Sequence, residues 1–203
     1  MKKYELTEET VIVSGKTLYR IRAVRDFGSV KAGDLGGYIE KEENLSHCGE
    51  AWVSDNAMVC GYAEVCGYAE VSDDAVVSGN AVVSGNARVC GEALVCCYAE
   101  VYGNAKVSGN AKVSGKACVC GDAEVSDTRH FFVQGPIGSR DGFVTFYRTK
   151  NNTVGVRCGC FSGSLQEFVD RVEETHGGSR YEKEYKLAAE LAKVCIRLEG
   201  ESR

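Results

Sequence analysis

From Ala51 to Val125 an Ala-x-Val triplet returns every six residues through thirteen consecutive copies. Alanine stands at 51, 57, 63 and every sixth place up to 123, with valine two places after each and a turn such as Ser-Gly-Asn or Cys-Gly-Tyr between copies. Two apolar residues flanking one outward residue put both side chains on one side of an extended strand, because strand side chains alternate faces. A helix of 3.6 residues per turn does not hold that spacing. Each step is therefore one short strand plus one corner, a repeat that predicts a parallel β-helix closing after three steps. Counting Leu45 as an earlier alanine-position residue gives fourteen steps, hence about 4.7 triangular coils and roughly 22 Å of prism at ~4.8 Å per coil. Columns of alanine and β-branched valine suit a thin core. Glycine and asparagine at the corners tolerate positive φ.

The chain divides into three parts. Residues 1–43 read as a β-hairpin and a lead-in loop: Thr10-Val-Ile-Val13 and Leu18-Tyr-Arg-Ile-Arg-Ala-Val24 flank the turn signal Ser14-Gly-Lys16. An open coil end exposes apolar columns and unpaired backbone, so this hairpin is expected to cap the first coil. Residues 44–127 form the prism. Residues 128–203 read as an α+β domain with strands at His130-Phe-Phe-Val-Gln134, Phe143-Val-Thr-Phe-Tyr147 and Val154-Gly-Val-Arg-Cys158, the last two joined at Asn151-Asn152. Ser164-Leu-Gln-Glu167 is a capping box opening a helix with Leu165, Phe168, Val169 and Val172 on one face, ended by Gly177-Gly178. Ser179-Arg-Tyr-Glu182 opens a second, with Tyr185, Ala188, Leu191, Ala192, Cys195 and Ile196 as its apolar stripe.

With eighteen residues per coil, the outward residues of the triplets fall into three columns. The column Trp52, Glu70, Arg88, Lys106 and Glu124 sets opposite signs side by side at Glu70 with Arg88 and at Lys106 with Glu124, as on a solvated face with cross-strand ion pairs. Met58, Val76 and Leu94 stand in line above Lys112 and predict an assembly face, or a docking surface for the C-terminal helices. Glu64, Val82, Glu100 and Cys118 are mixed.

Val53-Ser-Asp-Asn-Ala57 and its successors resemble the hexapeptide repeat of left-handed parallel β-helix proteins. That resemblance implies a left-handed coil, an exception to the usual right-handed crossover, and favours a homotrimer. The leader from Gly33-Asp-Leu-Gly-Gly-Tyr to Asn44-Leu-Ser46 resembles the lead-in of uncharacterised hexapeptide-repeat proteins of bacteriophages and prophages. The tail, from Gly135-Pro-Ile-Gly-Ser-Arg140 through Cys158-Gly-Cys-Phe161 to Thr175-His-Gly177, is similar to a domain that recurs in such proteins. The resemblance carries no established activity.

Many enzymes with this repeat transfer acyl groups through a histidine beside a loop that interrupts the prism. Between 51 and 125 there is neither such a loop nor a histidine. His47, His130 and His176 are too scattered to rebuild the three-histidine zinc site of carbonic anhydrases on the same prism. Ranks of threonine for ice binding are missing, since residues 44–127 hold none. Of eleven cysteines, Cys60, Cys66, Cys90, Cys96 and Cys120 alternate with serine in the slot after valine, so they read as small residues and reduced thiols. Cys48 with Cys66, and Cys158 with Cys160, are neighbouring pairs that lack a four-ligand zinc spacing. Neither a metal nor a cofactor is expected.

The most site-like stretch is Gly135-Pro-Ile-Gly138-Ser139-Arg140-Asp141, whose glycines admit a ligand to the backbone and whose arginine suits a phosphate or carboxylate. Arg157 is the expected second cation and Tyr147 a stacking wall. The competing reading is an ordinary tight turn, because the stretch leads into a strand and not a helix.

Net charge is −5, with four Lys/Arg against eleven Asp/Glu over 44–127, so a basic nucleic-acid footprint is missing from the prism. No apolar run is long enough to cross a membrane, and Met-Lys-Lys-Tyr-Glu-Leu-Thr does not open a signal peptide, so a bacterial cytoplasm is expected. The resulting expectation is a non-enzymatic, oligomeric binding scaffold acting on a host protein or a small anionic ligand such as a nucleotide, in a counter-defence role. The alternative is a divergent acyltransferase, or another enzyme with its site in the C-terminal domain.

Overall fold

The structure, a computed structural model, describes residues 2–200. Met1 and residues 201–203, which belong to the first and third segments above, lie outside the described residues. The chain opens with β1 (Tyr4–Val13), β2 (Lys16–Ala23) and β3 (Leu35–Ile39). Thirteen two-residue rungs, β4 to β16, follow in order at Trp52–Val53, Met58–Val59, Glu64–Val65, Glu70–Val71, Val76–Val77, Val82–Val83, Arg88–Val89, Leu94–Val95, Glu100–Val101, Lys106–Val107, Lys112–Val113, Cys118–Val119 and Glu124–Val125. The tail contributes β17 (Phe131–Ile137), β18 (Gly142–Arg148), β19 (Val154–Cys158), β20 (Phe161–Ser164), α1 (Leu165–His176) and α2 (Arg180–Cys195).

The rungs form a parallel β-solenoid of about five turns with three faces, in the orders β5-β8-β11-β14, β4-β7-β10-β13-β16 and β6-β9-β12-β15. Every pairing between rungs runs i to i+18, as Arg88 opposite Lys106 and Val82 opposite Glu100. The alanines and valines of the thirteen triplets are all buried. Glu70 and Arg88 close an ion pair at 3.2 Å on the mixed-charge face; Lys106 and Glu124 are neighbours in register, without an ion pair among the described residues.

Thirteen corner positions, from residue 49 to residue 121 in steps of six, all have positive φ. Ten are glycine, two are aspartate (Asp55 and Asp73) and one is Cys97. Stacking explains the glycines as much as φ does: a Cβ on Gly49 would stand 2.3 Å from the carbonyl oxygen of Gly67.

Two features of the N-terminal part depart from expectation. The lead-in loop contains β3, which pairs antiparallel with β2 and parallel with β5, so the first face continues into the hairpin in the order β1-β2-β3-β5. Two glycines hide this strand from propensity. Packing requires them, since a Cβ on Gly36 would lie 2.6 Å from Ile21 Cγ1 and one on Gly37 2.5 Å from the Ala57 carbonyl. The first turn is also two residues longer than the rest. Leu45 pairs with Val65 and Tyr38 with Met58, so Leu45 occupies a valine column and not an alanine one. The extra length carries His47 out to stack on Tyr4, with ring centroids 4.3 Å apart.

The tail is a four-stranded antiparallel meander, β17-β18-β19-β20, lying between the last coil and the two helices. Both its faces are covered. Phe132, Val144, Phe146 and Val156 pack with Phe168, Val172, Tyr185, Ala188, Ala189, Ala192 and Ile196 of the helical layer, while Phe131, Val133 and Tyr147 join the solenoid core. The helices therefore bury their apolar faces on this sheet, not on the Met58, Val76, Leu94 column. Ser164 caps α1 reciprocally with Glu167, as the capping box predicts. In α2 the stripe is shifted from the predicted one: Ala189 is buried, and Leu191 is 47% exposed.

Candidate functional site

Stacked parallel coils have a chemical polarity. Each outward-residue amide donates to the alanine carbonyl of the next coil, as Glu64 to Ala81 and Glu100 to Ala117. Among these bonds the first coil keeps alanine carbonyls, and the last coil keeps outward-residue N–H groups, without a coil partner, and burial makes both costly.

Side chains of the two caps close both ends. At the N-terminal end, donors enter. Lys3 Nζ donates to the Ala51 carbonyl at 2.7 Å, Tyr4 Oη lies 2.8 Å from the Leu45 carbonyl, and Asn44 Nδ2 donates to Ala63 at 2.8 Å. Burial, with Arg25 nearby, brings the Lys3 ammonium down to about 8. At the C-terminal end, a donor and two acceptors enter, and Arg148 Nε donates to the Glu124 carbonyl at 3.2 Å. Thr145 Oγ1 accepts from the Cys118 amide at 2.9 Å, and His130 Nδ1 accepts from the Ser126 amide at 3.1 Å. Burial and Arg148 hold the His130 imidazole below its ordinary pKa, which keeps it neutral and able to accept.

The densest polar cluster lies at this second junction. In Ala117-Cys118-Val119-Cys120 the alanine and valine point into the core, so both thiols face outward, where β18 crosses them. Cys118 Sγ is 3.4 Å from Tyr102 Oη. Cys120 Sγ is 3.4 Å from Tyr147 Oη and 3.9 Å from Ser162 Oγ. Arg157, opposite Thr145 in register, places its guanidinium 5.9 Å from the Tyr102 ring centroid. The Tyr147 ring lies across the sheet only because its partner in register is Gly155, where a Cβ would stand 2.6 Å from the ring. Hydrogen bonding to the Cys118 thiol, followed by the tyrosine and serine hydroxyls, lowers the pKa of Cys120. The same coupling and burial push Cys118 up.

The residues expected to bind an anion are split by the fold. Gly138, Ser139 and Arg140 form the turn between β17 and β18, seated on α2, and Gly135 precedes the cis Gly135-Pro136 bond in β17. The Gly138 amide already donates to the Glu184 carboxylate at 2.7 Å, and a Cβ there would collide with the Tyr185 hydroxyl. Ser139 and Arg140 are exposed. Tyr147 lies at the far end of β18, roughly 20 Å along the strand, and is only 3% exposed, so it is no wall for that turn. Arg157 and Tyr147 instead share the coil-facing side of the sheet with the two cysteines.

Sequence reasoning missed this thiol cluster because Cys120 read as a small residue of the repeat and Cys118 as a member of a mixed outward column. Their i, i+2 spacing in the final coil, where a cap must cross, was the available signal. It also missed the apolar ridge on α2, where Leu187, Leu191 and Val194 are 71%, 47% and 81% exposed at helical spacing. All eleven cysteines are free, and among the described residues no group of three or more His, Cys, Asp or Glu is placed to hold a metal. Among them, too, no helix is long and apolar enough to cross a membrane.

Residues 69–85 match the family model described as the YdcK beta solenoid repeat, a similarity covering one stretch of the prism. No curated protein matches the chain.

Proposed function

We propose that this chain is a capped scaffold that acts by binding a protein partner, a left-handed hexapeptide-repeat prism of the phage type working as a homotrimer in the bacterial cytoplasm. The exposed ridge of Leu187, Leu191 and Val194 carries this reading, because three large apolar side chains in line on one helix face are what a partner surface requires. Both coil ends are closed by the chain's own caps, so the sides of the prism and α2 are what remains for partners. The half-buried column of Met58, Val76 and Leu94 supplies the assembly face, and the phage resemblance of leader and tail supports a host protein as the target and counter-defence as the role. A small anionic ligand at Gly138, Ser139 and Arg140 has weaker support, since Glu184 already occupies the Gly138 amide.

Light scattering and partner capture test the two surfaces separately. Val76→Glu with Leu94→Glu is expected to reduce a trimer to monomers, and Leu187→Glu with Val194→Glu to leave the mass intact while abolishing capture of the host protein. A wild-type monomer ends the assembly reading. A partner retained by the α2 variant ends the binding one.

One observation favours a second, enzymatic reading: the Cys120 sulfur lies beside the Tyr147 and Ser162 hydroxyls, contacts that lower the pKa of its thiol. Turnover of any thioester or acyl donor that is lost in Cys120→Ser supports it.

A further inference from the structure

We propose that Cys96 and Cys97 form a chelating dithiol site for a soft, thiophilic ion. The two residues occupy the corner between β11 and β12, and their Sγ atoms lie 3.8 Å apart. A three-coordinate, pyramidal centre holds two sulfurs slightly closer than this, so a small side-chain rotation brings the thiols to chelating separation. Cys97 is exposed and Cys96 half-buried, leaving the pair open to solvent.

The backbone supplies an independent observation. Cys97 has φ +65° at a corner where ten of the thirteen equivalent positions are glycine. A non-glycine side chain there costs on the order of 1 kcal/mol, and a strained residue that the fold does not need directs attention to chemistry. Stacking gives no reason for it, because glycine at this corner would fit above Gly79 as it does elsewhere. What cysteine adds is a second sulfur beside Cys96.

No third His, Cys, Asp or Glu joins the pair among the described residues. The site therefore suits an ion that two thiols satisfy, such as arsenic(III) already carrying one organic group. With phenylarsine oxide the step is balanced and redox-neutral: two S–H bonds break, two As–S bonds form, and the oxide oxygen leaves with both protons as water.

The test is phenylarsine oxide added to the reduced full chain in excess monothiol, read by intact mass and by protection of cysteines from alkylation. One equivalent is expected, protecting Cys96 and Cys97 and released by a competing dithiol. Cys96→Ser and Cys97→Gly should bind at least about tenfold more weakly, since each removes the chelate, whereas Cys118→Ser should bind like the wild type. Cys97→Gly restores the residue of the neighbouring corners, so its loss of binding is not a loss of fold. No adduct in the wild type, or an undiminished one in Cys97→Gly, overturns the proposal.

Discussion

The hydroxyl of Tyr147 lies 3.4 Å from Sγ of Cys120, joining the sheet of the C-terminal cap to the last coil of the solenoid. The ring closes the apolar columns while the hydroxyl meets the Cys120 sulfur. Stability and thiol chemistry are coupled at this one contact.

Tyr147→Phe keeps the ring and removes the hydrogen bond. It is expected to cost ~1 kcal/mol and to raise the Cys120 thiol midpoint, which that hydroxyl helps to lower, followed as ultraviolet thiolate absorbance against pH. Tyr147→Ala also opens the end of the core and is expected to cost ~3–5 kcal/mol in urea unfolding. An unchanged midpoint in Tyr147→Phe would show that this hydroxyl does not hold the charge.

His130 makes the C-terminal cap acid-sensitive. Its folded pKa lies below the ordinary value, so as pH falls through about 6.5 the unfolded chain takes up the proton first and stability declines. The expected thermal midpoint falls between neutral pH and pH 5, and His130→Gln, with a neutral acceptor at every pH, should flatten that part of the profile. Identical slopes in the two proteins would refute the assignment.

Lys3 gives the opposite end its own pH dependence. With a folded pKa near 8 against an ordinary value of 10.5, the unfolded chain binds the extra proton between those values, so this residue's contribution to stability rises with pH across the window. The gain amounts to at most about 3 kcal/mol. Lys3→Met removes this rise, while leaving the Ala51 carbonyl without its donor. Denaturant unfolding of both proteins at pH 8 and pH 10 isolates the effect from the titrating cysteines.

Two corner glycines separate backbone strain from steric collision. At Gly115, φ is +71° and nothing lies within 4 Å of an added Cβ, so Gly115→Ala is expected to cost ~1 kcal/mol. At Gly49 the added carbon would also press on the Gly67 carbonyl at 2.3 Å, so Gly49→Ala should cost at least ~2 kcal/mol. Equal losses in urea unfolding would mean that stacking between corners contributes nothing.

Much of the fold was legible because the repeat leaves little freedom. Six-residue spacing implies i to i+18 pairing, and that pairing alone orders Glu70 beside Arg88 and Met58 beside Val76. The places that escaped were those where a neighbour overrides local preference. Leu35–Ile39 is a strand despite two glycines, because only glycine lets it approach Ile21 and Ala57. Leu45 left its predicted column because two added residues bring His47 to Tyr4. Leu191 left the α2 stripe because the sheet meets that helix along Tyr185, Ala188, Ala189 and Ala192.

The repeat settles the solenoid: its rung length, its three columns, its alanine and valine core, and the need to cover an open coil end. All of these follow from periodicity, which is a local property of the chain. Which side chains meet at the ends emerges only when distant segments pack together. The grouping of Cys118, Cys120, Tyr147 and Arg157, the separation of Arg157 from Arg140, and the donor and acceptor character of the two caps depend on a sheet crossing a coil. Such contacts join residues far apart in the chain, and no spacing rule encodes them. The physical reason lies in the backbone, since an open coil end leaves N–H and carbonyl groups without partners, and only a segment folded onto that end can satisfy them.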